Sequence, residues 1–290
     1  MRQNQDVIQF HIANQELIET ERFRTLEEYV NHLVHQRAYE EVASMAENRV
    51  VLDLGCNVGY GTKVIGAVCS KAVGVDVSPR AVEEAMRRSS KGNVEFRLVD
   101  GKRLPFEDRS FDLVASFQVI EHVDDYAPYL SEIRRVLSPS GRAVFTTPNA
   151  VIRLDPGMKP HYPFHVREFS AHDLRTLLQG YFPHVEIRGL FAIDDLYAIE
   201  FNRCNNARIS FRNRDKWTFR LNARVRSAIP GLVKDELKDI LRRIQGQPLE
   251  LDPAILGKYS TGDFYYREDN LDESLDLMAI CHQDECSSVS

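Results

Sequence analysis

The stretch Val50-Val51-Leu52-Asp53-Leu54-Gly55-Cys56-Asn57-Val58-Gly59-Tyr60-Gly61 restricts the fold more than any other part of the chain. A short apolar run reads as a buried strand. A glycine-rich turn follows, and Thr62 to Cys69 reads as a helix opening directly out of that turn. Strand, glycine turn and helix together make a ligand crevice at the carboxyl end of a strand in an α/β sheet. Glycine allows positive φ and lets a ligand lie against the backbone with no Cβ between them. The spacing Gly55-x-x-x-Gly59-x-Gly61 is not the G-x-G-x-x-G of a pyrophosphate-binding turn, which argues against a nicotinamide dehydrogenase. Asp53, two places before Gly55, would repel a diphosphate. It suits a ligand carrying positive charge, such as an ammonium or a sulfonium.

What surrounds this stretch excludes several classes. At 290 residues the chain can bury a full core. A net charge of −6 gives no overall reason to expect nucleic acid. Cys56, Cys69, Cys204, Cys281 and Cys286 are an odd, scattered set without a C-x-x-C pair, which predicts reduced thiols in a cytoplasmic setting. No apolar run approaches the ~20 residues of a membrane helix, and the N-terminus lacks the apolar core of a signal peptide. No metal site is expected. His161-x-x-x-His165 and Cys281-His282 with Cys286 have ligand-like spacing, but neither brings a third and fourth ligand.

Along the chain, strand and helix patterns alternate. Apolar residues between Thr25 and Glu47 fall near helical spacing, so one or two helices precede the first strand. Ala72–Asp76 reads as the second strand, and Ser78-Pro79 opens a helix with a capping serine. Val94–Val99 reads as the third strand, ending at Asp100-Gly101, and Phe111–Ser116 as the fourth, ending in Phe117-Gln118-Val119-Ile120-Glu121-His122. Ala127–Leu137 is an amphipathic helix and Arg142–Thr147 a fifth strand. Ser170 caps a helix over Ala171–Gln179. Val185–Leu190 and Leu275–Cys281 read as the last two strands. Such alternation implies parallel pairing with right-handed crossovers.

The glycine stretch resembles motif I of the class I S-adenosylmethionine-dependent methyltransferases, D-x-G-x-G-x-G. Asn57 stands where the middle glycine usually is, and because Asn tolerates left-handed φ the turn is expected to survive. Leu104-Pro105-Phe106 with Phe111-Asp112-Leu113-Val114 resembles the LPF…FDxV run of small-molecule members. Leu137-Ser138-Pro139-Ser140-Gly141 resembles their LKPGG turn, with Ser140 for its first glycine. The likeness spans about residues 35–190 and the strand near 275–281, and is greatest to the UbiE/UbiG-like (methyltransferase type 11) group. Thr147-Pro148-Asn149 with the later Phe164-His165-Val166-Arg167-Glu168-Phe169-Ser170 resembles a subgroup associated with glycan or lipid modification.

This resemblance implies a Rossmann-like, doubly wound, seven-stranded, mostly parallel sheet with an antiparallel last strand. The domain organisation it suggests is a helical cap over 1–48, a core over 49–193 and 274–283, and a largely helical insertion over 194–273. It implies S-adenosylmethionine as cofactor and S-adenosylhomocysteine as product. Asp53, Gly55, Asn57 and Gly59 would hold the methionine end, Asp76 with Val77 the ribose, and Asp100 with Gly101 the adenine. Gln118 would touch cofactor or substrate. His35, Arg37 and Tyr39 on the leading helix are further possible contacts or packing residues. A hydroxyl acceptor needs a proton acceptor, for which His122 in the "EH" run comes first and His165 second.

The expected acceptor is a sugar, lipid or natural-product hydroxyl. In the insertion, Arg208, Arg212, Lys216, Arg220 and Arg224 recur every fourth residue and form one winding stripe if helical. That stripe fits an acidic or phosphorylated acceptor, an RNA substrate, or a solvated face paired with acids. An amphipathic run from Leu232 to Ile244 could pack on the core or form a homodimer face. Two rivals stand beside the small-molecule enzyme: an RNA methyltransferase using the stripe, and a non-catalytic cofactor-binding partner protein.

Overall fold

The computed structural model describes residues 22–89, 92–213 and 250–283. Eight strands form one sheet: β1 (Val50–Leu54), β2 (Lys71–Asp76), β3 (Val94–Leu98), β4 (Phe111–Phe117), β5 (Leu137–Pro148), β6 (His184–Ala192), β7 (Phe264–Arg267) and β8 (Asp276–His282). Their order is β3-β2-β1-β4-β5-β8-β6-β7, with β1 to β5 paired in parallel and β8 antiparallel to both β5 and β6. The doubly wound sheet and its late antiparallel strand match the expectation; the strand count is corrected from seven to eight. The extra strand, β7, pairs antiparallel with β6 at the sheet edge. It lies in the stretch expected to be helical. Phe264-Tyr265-Tyr266-Arg267 is aromatic and β-prone, but it is too short to show a period.

Helices connect the strands: α1 (Leu26–Met45), α2 (Tyr60–Ile65), α3 (Pro79–Arg88), α4 (Tyr126–Val136), α5 (Ala150–Arg153), α6 (Ala171–Gln179), α7 (Asp194–Arg212) and α8 (Pro253–Leu256). Side-chain caps define several of their starts. Thr25 accepts from Glu28 N, Ser78 from Ala81 N, Asp125 from Ala127 N and Ser170 from Asp173 N. Among the described residues, the stretch before β1 holds one helix, Leu26–Met45. Leu137–Gly141, expected as a turn, is instead the bulged start of β5, where the register against β4 slips between Phe111 and Leu113.

Both faces of the sheet are covered. Neighbouring residues of one strand serve opposite cores: Leu52 joins Val73, Val114, Ile133 and Leu174, whereas Val51 joins Tyr39, Val42, Ile65 and Leu113. This double burial explains why the central strands read as continuous apolar runs rather than as alternation. The 1–20 arm, Cys286 and the Leu232–Ile244 run lie outside the described residues. So do Lys216, Arg220 and Arg224 of the basic stripe. No helix among the described residues is long and apolar enough to cross a membrane. Cys56, Cys69, Cys204 and Cys281 are buried.

Candidate active site

The strand order reverses between β1 and β4, and in such a sheet the crevice opens beyond the carboxyl ends of the strands at that point. Two loops meet there. Gly55 has φ +86°, and a Cβ on it would sit 2.5 Å from Val119 Cγ2, just past β4. The turn itself hangs from β2: Gly55 N and Cys56 N donate to the Val75 carbonyl at 2.8 and 3.0 Å. Asn57 takes φ +45°, and its Oδ1 accepts from Val58 N at 2.9 Å. The left-handed turn expected of an asparagine in a glycine's place is therefore present.

Asp53 and Asp76 come together beneath this turn. Asp53 is 1% exposed and accepts from Thr62 Oγ1 at 2.5 Å and from Tyr39 Oη at 3.3 Å. Burial raises its pKa to about 7, helped by the Asp76 charge and opposed by those two hydrogen bonds. None of these partners is a cation. Asp76 is also buried; its Oδ2 accepts from Asn57 N and its Oδ1 from Ser78 N, both at 2.9 Å. It thus ties the glycine turn to the start of α3. Half-buried Val77 follows it. Asp100 is exposed at the rim beyond β3, and its Oδ1 accepts from Lys102 N at 2.9 Å across Gly101, which has φ +72°.

Of the leading-helix candidates, only Tyr39 reaches this turn. Its ring lies over Gly61, where a Cβ would stand 2.1 Å from a ring carbon. Because Tyr39 is buried and hydrogen-bonded to Asp53, the ring has little room to retreat. Gly61→Ala is expected to cost about 1–3 kcal/mol through overpacking, read as a lower urea midpoint with unchanged slope. Arg37 instead bonds the Phe264 carbonyl and Glu41. His35 is half-buried, and that burial, with His32 and Arg203, lowers its pKa to about 4.

A second polar group lies past β4 and β5. Ile120–His122 forms a 3-10 turn, and Glu121 is fully buried. Glu121 Oε2 accepts from Thr147 Oγ1 at 3.2 Å, while its Oε1 is buried with no hydrogen-bond partner. The Glu121 carbonyl accepts from Val166 N at 2.8 Å, and His122 Nδ1 meets the Phe164 carbonyl at 2.9 Å. These bonds pin the loop after β5 against the turn after β4. His165 arrives on that loop, its ring 4.8 Å from that of His122 and at 78° to it. Its Nδ1 lies 2.8 Å from Glu168 Oε1, and Glu168 Oε2 accepts from Arg153 Nε at 3.0 Å. Both imidazoles therefore donate through Nδ1, and the neutral ring in that tautomer carries its lone pair on Nε2.

Gln118, expected to touch cofactor or substrate, follows β4 directly. It has φ +55°, and its Nε2 donates to Asp276 Oδ2 on β8 at 2.8 Å. Thr62, Glu121, Arg153, Glu168 and Asp276 were not singled out as site residues from sequence. Only Glu121, beside His122, carried a signal that could have found it. Arg208 and Arg212 both approach Asp155, at 3.7 and 3.6 Å, so the described part of the basic stripe is paired with an acid.

Comparison with known proteins shows the family to which the chain belongs. A family model described as a methyltransferase domain matches residues 52–145. A Mycolicibacterium smegmatis protein named "Probable S-adenosylmethionine-dependent methyltransferase" is 32% identical over 249 residues, covering 85% of this chain and 86% of that one. A Mycobacterium tuberculosis protein of the same description is 40% identical over 159 residues, 54% of this chain and 57% of that one. Among solved structures, the YcgJ protein of Bacillus subtilis shares the fold with a TM-score of 0.53 at 17% identity, over 87% of this chain and 100% of that one.

Proposed function

The chain belongs to the S-adenosylmethionine-dependent methyltransferases, and from that premise we propose that it methylates a hydroxyl oxygen of a small molecule, with His122 as proton acceptor. Bound S-adenosylmethionine supplies a methyl group on a sulfonium whose thioether leaves as a neutral group. Asp53 fits such a ligand because it is a buried carboxylate without a cationic partner, and a ligand ammonium would provide one. With Asp53, the Gly55, Asn57 and Gly59 backbone would hold the methionine end. Asp76 and Val77 would hold the ribose, and Asp100 and Gly101 the adenine.

What is left for the protein is to place the acceptor and take its proton. The observation that carries the choice of oxygen is the pair of imidazoles, His122 and His165, both set to accept at Nε2. An amine can attack as its free base, whereas a hydroxyl needs its proton removed as the bond forms. A sugar, lipid or natural-product hydroxyl meets that description. The pairing of Arg208 and Arg212 with Asp155 favours a surface role for them over an RNA footprint.

Two measurements test this reading. Calorimetric titration with S-adenosylhomocysteine should show one site, weakened by Asp76→Ala; absence of binding would remove the cofactor assignment. Incubation with methyl-labelled S-adenosylmethionine and a panel of sugars, polar lipids and phenols should label a hydroxyl-bearing acceptor but not its O-blocked analogue. Label found only on amines would overturn the choice of oxygen.

Cofactor binding should also depend on pH. Asp53 keeps its proton up to about pH 7, and the ligand ammonium favours the ionised form, so binding releases a proton below that pH. Affinity for S-adenosylhomocysteine is therefore expected to rise about tenfold from pH 6 to pH 8. Asp53→Asn should flatten the profile, and a wild-type profile that is already flat would contradict the proposed contact.

A further inference from the structure

We propose that Glu121, His122 and His165 form a binding site for one divalent first-row transition-metal ion. One ligand atom from each lies within 4.8 Å of the others. Bonds of about 2.0–2.2 Å to nitrogen and oxygen require these atoms to draw closer through small adjustments of the three side chains. The two loops that carry them are already fastened together by Val166 N donating to the Glu121 carbonyl.

The second observation is Glu121 Oε1. It belongs to a fully buried side chain and has no hydrogen-bond partner, and an oxygen of the same carboxylate lies within 4.8 Å of a ring nitrogen of each histidine. Buried polar atoms without partners are rare, and a bound ion is one of the few things that satisfies a carboxylate oxygen in such a place. The surroundings have the form that metal ligands require. His165 is oriented by Glu168 through Nδ1, His122 by the Phe164 carbonyl through Nδ1, and Glu121 by Thr147 through its other oxygen. Each contact favours one ring tautomer or carboxylate orientation, as outer-shell partners of metal ligands do. Arg153 in turn holds Glu168.

Two imidazoles and one carboxylate suit Mn²⁺, Co²⁺ or Zn²⁺ better than Mg²⁺ or Ca²⁺, which prefer oxygen throughout. Three protein ligands leave positions open for an acceptor oxygen. That last role rests on the methyl-transfer reading above, with His122 then acting as ligand; the binding of the ion does not depend on it. The spacing His161-x-x-x-His165 suggested a different pair, but the chain turn brings His165 to Glu121 and His122.

The test uses the full chain stripped with a chelator. Calorimetry with Mn²⁺ should give one ion per chain, and Co²⁺ should give visible absorption stronger than that of the aquo ion. Glu121→Gln and His165→Gln should each weaken binding at least tenfold. Glu168→Gln, which touches no ion, should weaken it about ten- to a hundredfold. Failure of the wild-type chain to bind any of Mn²⁺, Co²⁺ and Zn²⁺ saturably overturns the proposal. So does unchanged affinity in folded Glu121→Gln and His165→Gln. Should either variant unfold, the wild-type Co²⁺ spectrum decides, and an aquo-like spectrum overturns the site. Titration of the same samples with S-adenosylhomocysteine separates the failures. Cofactor binding without metal binding removes only the ion, whereas loss of cofactor binding removes the methyl-transfer reading.

Discussion

His122→Gln is expected to lower kcat by about 10²–10⁴-fold while leaving S-adenosylhomocysteine affinity within a factor of about two, the loss being that of a positioned general base. Glutamine approximates the size and polarity of imidazole but cannot take a proton. The residue is held on a 3-10 turn directly beyond β4, and the Phe164 carbonyl at Nδ1 leaves the accepting lone pair on Nε2. The glycine turn and its carboxylates lie on other loops, so cofactor affinity should not follow His122. If the residue only ordered the loop, the same substitution would lower stability while folded enzyme kept its turnover. Activity normalised to the fraction of chain folded by circular dichroism therefore decides between them. His165→Gln is expected to lose less if His165 only lies against His122, and as much if the two rings act as one unit.

How much of this was legible in sequence depended on how local each signal was. Gly55, Asn57 and Gly59 could be placed because a left-handed turn leaves a trace in residue type at its own position. Asp53 and Asp76 could be placed because each lies at or next to the end of a strand whose apolar run is visible. Gln118 marks the limit of such local signals. Its place after β4 was evident, but its amide turns to Asp276, a residue 158 positions later that packs against it only because β8 inserts between β5 and β6. Likewise Arg153 and Glu168 form a buried pair across the loop after β5, and no periodic pattern announces such a contact. β7 escaped notice because a four-residue edge strand between 3-10 turns has too little length to show alternation.

The buried pair supplies the largest stability effect. Arg153 is 8% exposed and Glu168 6%, with Nε to Oε2 at 3.0 Å. Glu168→Gln would leave the guanidinium buried without a carboxylate, and a broken buried pair costs about 3–5 kcal/mol at neutral pH. The double variant Arg153→Met, Glu168→Leu should recover much of that loss, because neither charge then has to be desolvated. Acid should expose the same interaction. Burial alone would raise the Glu168 carboxyl, but the His165 hydrogen bond and the Arg153 charge outweigh it and hold it below its ordinary value. A carboxylate with a depressed folded-state pKa stabilises above its unfolded pKa, about 4.3, and that contribution disappears as pH falls through the folded value. Urea denaturation at pH 7 and again at pH 3 should therefore show the gap between wild type and Glu168→Gln narrowing in acid. A gap that stays constant would mean that the pair's charge contributes nothing and that only its packing matters.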